Sequence, residues 1–157
     1  DALRSLPHVR RLRIHTRYPV VLPGRIDAGL LGWLQSVPLQ TVVVIHANHA
    51  QEIDSSVATA CAQLADAGAT LLNQSVLLAG VNDSVEAQAA LCERLVNLRV
   101  VPYYLHQLDR VAGAAHFEAS VSLGKRIIDE LRTRLPGYAV PRYVQEVASA
   151  ESKTELI

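Results

Sequence analysis

Residues 41–78 read TVVVIHANHAQEIDSSVATACAQLADAGATLLNQSVLL, and this stretch decides the fold. It opens with a β-branched run at 41–47, of the kind found in strands that are covered on both faces. A helical segment at 52–68 follows, with Gly68 placed to end it. A second buried strand at 69–78 completes the unit. Strand, helix and strand in this order predict two parallel strands joined by a crossover helix.

The same alternation continues on both sides of this unit. Further strands are predicted at 11–17, 99–106 and 138–144, and further helices at 26–36, at 84–98 with Ser84 as N-cap, and at 121–135. Pro19 and Pro23 predict a turn-rich connection after the first strand. About four to six strands are too few to close an eight-stranded barrel. We therefore predict one α/β domain over residues 1–157, built as a partial parallel (β/α) barrel.

The composition excludes several classes of protein. Lys plus Arg and Asp plus Glu each number 15, so no net charge attracts the chain to nucleic acid or to an anionic membrane. No run approaches the roughly 20 apolar residues of a membrane helix. Cys61 and Cys92 form no CxxC pair and are expected to be reduced, core-facing thiols of a cytoplasmic protein.

The beginning of the chain also carries information. The sequence has no Met, opens with Asp1, and shows none of the features of a signal peptide. It runs directly into an arginine-rich segment that precedes the first predicted strand. We expect a truncated chain whose N-terminal part is missing.

Polar side chains are concentrated where the predicted parallel strands end. They are His46, Asn48 and His49 after the second strand, Asn73, Gln74 and Ser75 in the third, and Tyr104, His106, Gln107 and Asp109 at the end of the fourth. Parallel βα folds place their chemistry at the carboxyl ends of their strands. The pattern therefore predicts a ligand site at this rim.

Two features of this rim have alternative interpretations. His46 and His49 have HxxH spacing and would need Glu52 or Asp54 as a third metal ligand, or else they bond to loop backbone or to a ligand. Arginines at strand ends often bind phosphate or carboxylate groups, or form surface salt bridges instead. The candidates of this kind are Arg13, Arg17, Arg25 and Arg110. No glycine-rich phosphate loop is present.

Three further residues could take part in chemistry or could be ordinary surface charges. Lys153 could form a Schiff base if it is sheltered, although a lysine in a polar tail is usually a solvated charge. Asp109 and Glu146 each follow a predicted strand. Two carboxylates that converge on a pocket would bind an ammonium group, whereas separate surface ion pairs would contribute little.

Four long sequence segments resemble segments of a known family. They are LRIHTRYPVVLPGRI at 12–26, NQSVLLAGVND at 73–83, RVVPYYLHQLDRVAGAAHFEA at 99–119, and LPGYAVPRYVQEV at 135–147 followed by Ser152 and Lys153. In this order they resemble the lysine 2,3-aminomutases, which are radical-SAM enzymes that depend on pyridoxal phosphate. The resemblance covers about residues 9–154. The sequences at 108–118 and 152–154 are most similar to those of the branch that acts with elongation factor P.

The resemblance implies a fold and a chemistry. The chain would be the C-terminal half of a radical-SAM core. In that family a [4Fe-4S] cluster cleaves S-adenosylmethionine to a 5′-deoxyadenosyl radical. The radical takes a hydrogen from lysine held on pyridoxal phosphate, and the amino group then migrates from the α to the β carbon. The cofactors carry the difficult chemistry, and the protein positions and shelters them. A homo-oligomer is compatible with this assignment, but the sequence does not determine its size.

The resemblance also implies roles for individual residues. Lys153 matches the lysine that holds pyridoxal phosphate covalently. Asp109 and Glu146 match acids that bind the ε-ammonium of the substrate lysine, and the fermenting branch has Asp in place of Glu146. The positions that match contacts to S-adenosylmethionine are Gln74, Asn73, His46, Asn48 and Arg17.

This sequence departs from the family pattern in its cluster motif and in the loop around Lys153. The cluster motif CxxxCxxC is absent, so we predict that this segment alone is inactive. The loop at 148–152 lacks the usual glycine and proline. Glu151 and Glu155 flank Lys153 and, if close to it, would favour its charged form.

Three rival functions follow from the same residues. The first rival is an aminomutase that acts on glutamate or another amino acid. Glutamate is disfavoured, because Asp109 and Glu146 would repel a side-chain carboxylate. A non-catalytic domain that binds a nucleotide or phosphate would not need Lys153. A metal hydrolase would depend on His46 and His49.

Overall fold

Six strands follow one another in the sheet in the same order as in the sequence. The structure is a computed structural model that describes residues 6–147 and 150–157, so Ala148 and Ser149 of the predicted loop lie outside it. The strands are β1 Arg11–His15, β2 Gln40–Ile45, β3 Thr70–Val76, β4 Val100–His106, β5 Arg142–Gln145 and β6 Thr154–Glu155. β1 to β5 are parallel, and β6 is antiparallel to β5.

The strand order explains why the sheet forms part of a barrel. A doubly wound sheet reverses its strand order and carries helices on both faces. Here every crossover steps in the same direction, and right-handed crossovers then leave all the helices on one face. The other face stays free to become the inside of a barrel. The predicted partial (β/α) barrel is confirmed.

Five α-helices connect or flank the strands. They are α1 Tyr18–Val21, α2 Ala28–Ser36, α3 Ser55–Asp66, α4 Val85–Asn97 and α5 Val121–Arg134. Among the described residues, no helix combines the length and apolar character that a membrane crossing requires.

Helix ends agree with the capping signals in the sequence. A side-chain oxygen accepts a hydrogen bond from a backbone N–H of the first turn in each of α2 to α5, and the caps are Asp27, Asp54, Ser84 and Ser120. Ser84 was predicted for this role. Gly68 follows α3 with φ of 91°, a left-handed conformation that favours glycine, and so ends the helix as predicted.

Two connections differ from the predictions. The segment predicted as a turn-rich connection contains α1, with Pro19 in its first turn, followed by a 3₁₀ turn at Pro23–Arg25. Proline suits a first turn because it lacks only an N–H that would be unpaired there. The predicted strand at 138–144 begins later, at Arg142, because Gly137–Ala139 forms a 3₁₀ turn. β6 was not predicted at all.

The core consists of two adjoining clusters on the helix face of the sheet. The first lies between α3, α4 and the middle strands and includes Val43, Ile45, Leu64, Leu71 and Leu95. The second lies beneath α5 and includes Leu105, Ile127, Ile128, Leu131 and Tyr143. Burying such side chains is the main favourable contribution to folding.

Both cysteines are buried free thiols. Burial raises the pKa of Cys61 to about 11 and that of Cys92 to about 12, so both stay protonated near neutral pH. The expectation that both thiols face the core is confirmed.

Tyr143 sets a strict size limit on α5. It is buried in β5, donates its hydroxyl hydrogen to Oε1 of Gln107, and lies against Gly124 of the helix. A Cβ added at Gly124 would lie 2.2 Å from the Tyr143 ring. Only glycine therefore allows α5 to approach β5 this closely.

Replacing Gly124 with alanine should destabilise the fold by overpacking, by roughly 1–3 kcal/mol or more in the free energy of unfolding. Urea denaturation measures this change. G32A is the matched control, because Gly32 lies within α2 with no atom within 4 Å of an added Cβ. There alanine should be neutral or stabilising by about 0.5–1 kcal/mol. Equal stability of G124A and the parent chain would contradict the packing argument.

Candidate active site

A cavity of about 510 Å³ opens at the carboxyl ends of the parallel strands. Its wall includes Lys153, Asp109 and Glu146, together with His46 and Gln74. These residues come from segments that follow or belong to different strands, so the strand order gathers them at one rim. An adjoining cavity of about 950 Å³ shares Asp109 and Glu146 with it. The two acids therefore lie on the wall between the two cavities.

Lys153 is brought to this rim by the antiparallel return of the chain. In the β5–β6 pair, Gln145 is opposite Thr154, which places Glu146 and Lys153 at the next position. The Lys153 ammonium donates a hydrogen bond to Oε1 of Glu146. Only 28% of the Lys153 side chain is exposed. The amine is thus sheltered, unlike that of a lysine in a solvated tail.

A bulge in β4 supplies an aromatic surface beside this amine. Asn73 pairs with Pro102 while Gln74 pairs with Tyr104, so Tyr103 is an extra residue in β4. The Tyr103 and Tyr104 rings consequently lie side by side, with centroids 3.8 Å apart. Lys153 Nζ lies 5.7 Å from the Tyr104 centroid, within the range of a cation–π interaction.

The negative neighbour of Lys153 is Glu146, whereas the sequence suggested Glu151 and Glu155. Glu155 forms two hydrogen bonds with Arg142, at 2.7 and 3.1 Å. Lys153 holds the pKa of Glu146 below its usual value, chiefly through their hydrogen bond. The carboxyl group of Glu146 therefore remains ionised at neutral pH.

Asp109 follows β4 on a segment that Gln107 anchors. The Gln107 amide N–H donates to the Val144 carbonyl at 2.8 Å, and its side-chain Nε2 donates to the Ala119 carbonyl at 2.8 Å. Its Oε1 accepts from Tyr143. These three bonds tie the start of the loop to β5 and to the approach to α5, and so hold Asp109 at the cavity.

Three histidines line the cavity: His15 at the end of β1, His46 just after β2, and His106 at the end of β4. Burial is the largest cause that lowers the pKa of each below 6.5. Nearby positive charges lower these pKa values further: Arg13 acts on His15, Arg17 on His46 and Lys153 on His106. All three rings are therefore neutral at pH 7.

Gln74 joins two of these rings. Its Nε2 lies 2.9 Å from Nε2 of His106, and since an amide nitrogen can only donate, this ring nitrogen is the acceptor. Gln74 also forms a hydrogen bond with His15. The sequence placed His106 among the polar residues of the predicted rim but gave no role to His15, although both are the last residues of their strands. That position was the available signal.

Two of the predicted cofactor-binding residues have structural contacts. Asn73 is buried, and its side chain bonds to both the N–H and the carbonyl of Ala47, at 2.8 and 3.0 Å. Asn48 Oδ1 accepts from the Val76 N–H at 2.9 Å. Both side chains therefore fasten the loop after β2 to β3, behind the cavity wall.

The predicted arginines lie at the margins of the site. Arg17 is exposed and acts on the cavity through its charge on His46. Arg110 pairs with Glu118 at 3.2 Å, with 88% of its side chain exposed, which agrees with the surface salt-bridge interpretation. Arg13 lies over the Tyr103 ring, 5.7 Å from its centroid.

The HxxH pair does not form a metal centre among the described residues. His49 Nδ1 accepts from the Gln51 N–H, and Glu52 accepts from the backbone N–H groups of Asn48 and His49. These contacts cap the 3₁₀ turn Ala50–Glu52. Over residues 6–147 and 150–157, no group of three His, Cys, Asp or Glu side chains is arranged to hold a metal ion.

The cavity histidines predict how stability depends on pH. Their pKa values are lower in the folded chain than the ordinary 6.5, so the unfolded chain binds protons first as the pH falls. The free energy of unfolding should therefore decrease as the pH falls below about 6.5. Urea midpoints at pH 7.5 and 5.5 measure this, in a range where the carboxylates stay ionised.

H106Q should reduce the loss of stability between these two pH values, because it removes one of the three groups. H8Q, at an exposed position, is the matched control for loss of a histidine. A midpoint that does not change with pH in the parent chain would show that burial of these rings has no effect.

Known proteins resemble this chain both in sequence and in fold. It is 46% identical over 154 residues to the L-lysine 2,3-aminomutase of Escherichia coli (strain K12). The aligned residues cover 98% of this chain and 45% of that protein. It is also 45% identical over 158 residues to the L-lysine 2,3-aminomutase of Clostridium subterminale. That alignment covers 99% of this chain and 37% of the relative. The chain thus spans less than half the length of these relatives.

A solved structure supports the fold independently. A radical SAM methyltransferase from Sphaerobacter thermophilus matches with a TM-score of 0.57 at 24% identity, over 84% of this chain and 40% of that one. This likeness concerns the fold alone. No family model matches the sequence. The resemblance to the lysine 2,3-aminomutases is confirmed, because sequence identity of 40–46% to curated L-lysine 2,3-aminomutases extends over nearly the whole chain.

Proposed function

We propose that the complete protein is a radical-SAM, pyridoxal-phosphate-dependent lysine 2,3-aminomutase that converts L-lysine to β-lysine. One observation carries this proposal: Lys153, Asp109 and Glu146 line a single cavity at the carboxyl rim of the parallel strands. The similarity to L-lysine 2,3-aminomutases suggests the reaction. The cavity that these three side chains line is where its chemistry would fit.

The charges of the cavity favour a substrate with a cationic side chain. The three histidine rings are neutral, and Lys153 pairs with Glu146, which leaves the Asp109 carboxylate to be balanced. An ammonium group would balance it through charge-assisted hydrogen bonds. A side-chain carboxylate would instead be repelled, so lysine fits better than glutamate.

The surroundings of Lys153 fit a covalently held pyridoxal phosphate. The amine is sheltered, opens into a cavity of about 510 Å³ and lies against Tyr104, so its side chain is oriented toward the cavity. Bound pyridoxal phosphate would supply an aldehyde that joins amines and a conjugated ring that stabilises a radical. Glu146 and Tyr104 would hold the Lys153 side chain in place, and the surrounding walls would limit the access of water.

The residues assigned to S-adenosylmethionine differ in whether they line the cavity. Gln74 and His46 line the cavity and present polar atoms, so we assign them to contacts with this cofactor. Asn73 and Asn48 would act by fastening the loop that carries His46, and Arg17 by its charge. The [4Fe-4S] cluster does not fit Cys61 and Cys92, which are buried and protonated. Its ligands would lie elsewhere in the complete protein.

The cellular setting is part of the same proposal. The sequences at 108–118 and at 152–154 favour the branch of the family whose β-lysine modifies elongation factor P. Two free thiols suit a reducing compartment, and we assign the protein to the cytoplasm. A homo-oligomer is compatible with the proposal, which includes no nucleic-acid partner and no attachment to a membrane.

Anaerobic reconstitution of the complete protein with iron, sulfide, S-adenosylmethionine and pyridoxal phosphate should give β-lysine from L-lysine, detected by mass spectrometry. K153A should abolish product and covalent attachment of pyridoxal phosphate, because it removes the lysine amine that lines the cavity. K125A is the matched control, since Lys125 lies exposed on α5 and is the other lysine of these 157 residues.

Several outcomes would contradict the proposal. Product formed by K153A would exclude Lys153 from the reaction. Pyridoxal phosphate attached to the complete protein at another residue would do the same. β-Lysine formed by the 157-residue segment alone would overturn the assignment of the cluster to another part of the protein.

A further inference from the structure

A short hairpin carries Lys153 into the cavity, and little backbone pairing holds that hairpin in place. β6 consists of Thr154–Glu155, and only these two residues pair with β5 in the ladder. One further backbone bond, from the Leu156 N–H to the Tyr143 carbonyl at 2.9 Å, extends the pairing. A ladder this short is marginal by itself. Side chains therefore have to help fix the position of the hairpin.

Arg142 supplies a side-chain contact that fastens β6 to β5. Its Nε and Nη2 donate to the two carboxylate oxygens of Glu155, at 3.1 and 2.7 Å. Val144 is directly opposite Glu155, so Arg142 is a diagonal neighbour of Glu155 on the same face of the pair. A guanidinium bound to both oxygens of one carboxylate fixes the direction of the contact as well as its distance.

The Arg142 guanidinium is also held from its other side. Tyr104 of β4 is directly opposite Arg142 in the parallel register, and the guanidinium carbon lies 5.7 Å from the centre of the Tyr104 ring. Tyr103 lies beside Tyr104, and Arg13 of β1 lies over Tyr103. Together with Glu155, these side chains form one row across the sheet from β1 to β6. The row anchors the hairpin to the parallel strands.

This row lies one layer below the groups that line the cavity. Residues two apart in a strand share a face, and His106 follows Tyr104 by two residues in β4. Lys153 likewise precedes Glu155 by two residues in the hairpin. Tyr104 contacts both layers, because the Arg142 guanidinium and Lys153 Nζ each lie 5.7 Å from its ring centre. The contact between Arg142 and Glu155 is therefore directly beneath Lys153.

Charge disfavours the alternative registers of the hairpin. In the observed register, Lys153 is opposite Glu146 and pairs with it. A shift of two residues would place Glu151 opposite Glu146 or, in the other direction, Glu155 opposite Glu146. Either arrangement sets like charges opposite each other, which is destabilising. A shift of one residue would turn the lysine to the other face of the sheet.

We propose that Arg142 is a positioning residue for Lys153: by binding Glu155, it holds the hairpin in the register that directs the Lys153 amine into the cavity. This inference rests on the proposed function, in which Lys153 holds pyridoxal phosphate. Arg142 is not among the residues that line the cavity, so it acts through Glu155 and the hairpin.

Positioning is the role that suits this ion pair. With 55% of the Arg142 side chain and 44% of the Glu155 side chain exposed, the pair contributes little to the free energy of unfolding. The reactivity of a positioned group is more sensitive, since a displacement of about 1 Å is enough to slow a reaction strongly. Loss of the pair should therefore affect attachment at Lys153 more than global stability.

Cofactor attachment measures this positioning. The complete protein is titrated with pyridoxal phosphate, the adduct is reduced with borohydride, and mass spectrometry gives the fraction of Lys153 that is modified. R142Q should raise the concentration for half-maximal attachment roughly two- to five-fold, the effect expected from losing a partly exposed ion pair. R142K should recover part of this loss, because an ammonium keeps the charge without the bidentate contact.

The partner of Arg142 provides a second test. E155Q should weaken attachment as R142Q does, and the double variant R142Q/E155Q should be no weaker than either single variant, because all three break the same contact. R99Q is the matched control, since Arg99 pairs with Asp66 at 2.7 Å with 57% of its side chain exposed. Additive losses in the double variant, or an equal loss in R99Q, would overturn the proposal.

Urea denaturation separates positioning from a general structural role. The midpoint of R142Q should move no further than that of R99Q, although only R142Q weakens attachment. If R142Q leaves attachment unchanged, or weakens it only in proportion to a lower midpoint, Arg142 does not position Lys153.

Failure of this inference is distinguishable from failure of the proposed function. If pyridoxal phosphate does not attach to Lys153 in the parent protein, the proposed function fails. The hairpin is then tested without the cofactor, by labelling Lys153 relative to Lys125 with a trace of isotopic acetic anhydride. R142Q should raise this ratio, because a released hairpin separates Lys153 from Glu146, and R99Q should not. An unchanged ratio in R142Q would overturn the role of Arg142.

Discussion

The antiparallel pairing of β6 with β5 is the contact on which the candidate site depends. It reverses the chain at the end of a parallel sheet and sets Lys153 beside Glu146. The ion pair itself is partly exposed and contributes little stability. Leu156 and Ile157 contribute more, because they pack against the second core cluster beneath α5. Apolar burial of the last two residues therefore holds a polar group at the cavity.

Burial has the opposite role at the histidines. Desolvation favours the neutral imidazole, and nearby positive groups reinforce the effect at His15, His46 and His106. The cavity thus contains many ring nitrogens but little positive charge. Among the described residues that line the cavity, Lys153 is therefore the cation. It also makes Gln74, which bonds two of the rings, part of the electrostatic arrangement.

Several polar residues at the rim serve the fold, although their sequence positions suggest a ligand. Asn82 donates to the Asn48 and Val76 carbonyls and accepts from the Leu78 N–H. Asn73 forms a reciprocal pair of bonds with Ala47. Loops at strand ends leave backbone groups without ladder partners, and amide side chains satisfy both donors and acceptors there. A strand-end asparagine is therefore compatible with both roles.

The sequence by itself determined the parallel βα units, the N-cap at Ser84, the helix end at Gly68 and the rim where polar residues gather, because apolar periodicity and capping chemistry are local. It also indicated the family, and with it Lys153, Asp109 and Glu146 as candidates. The tertiary structure decided the rest. Two-residue β6 carries too little pattern to predict, and Glu146 is the partner of Lys153, instead of the adjacent Glu151 or Glu155, through register alone. Likewise, the lowered pKa of His106 follows from its partial burial, which the sequence does not show, since desolvation depends on what surrounds a ring in space.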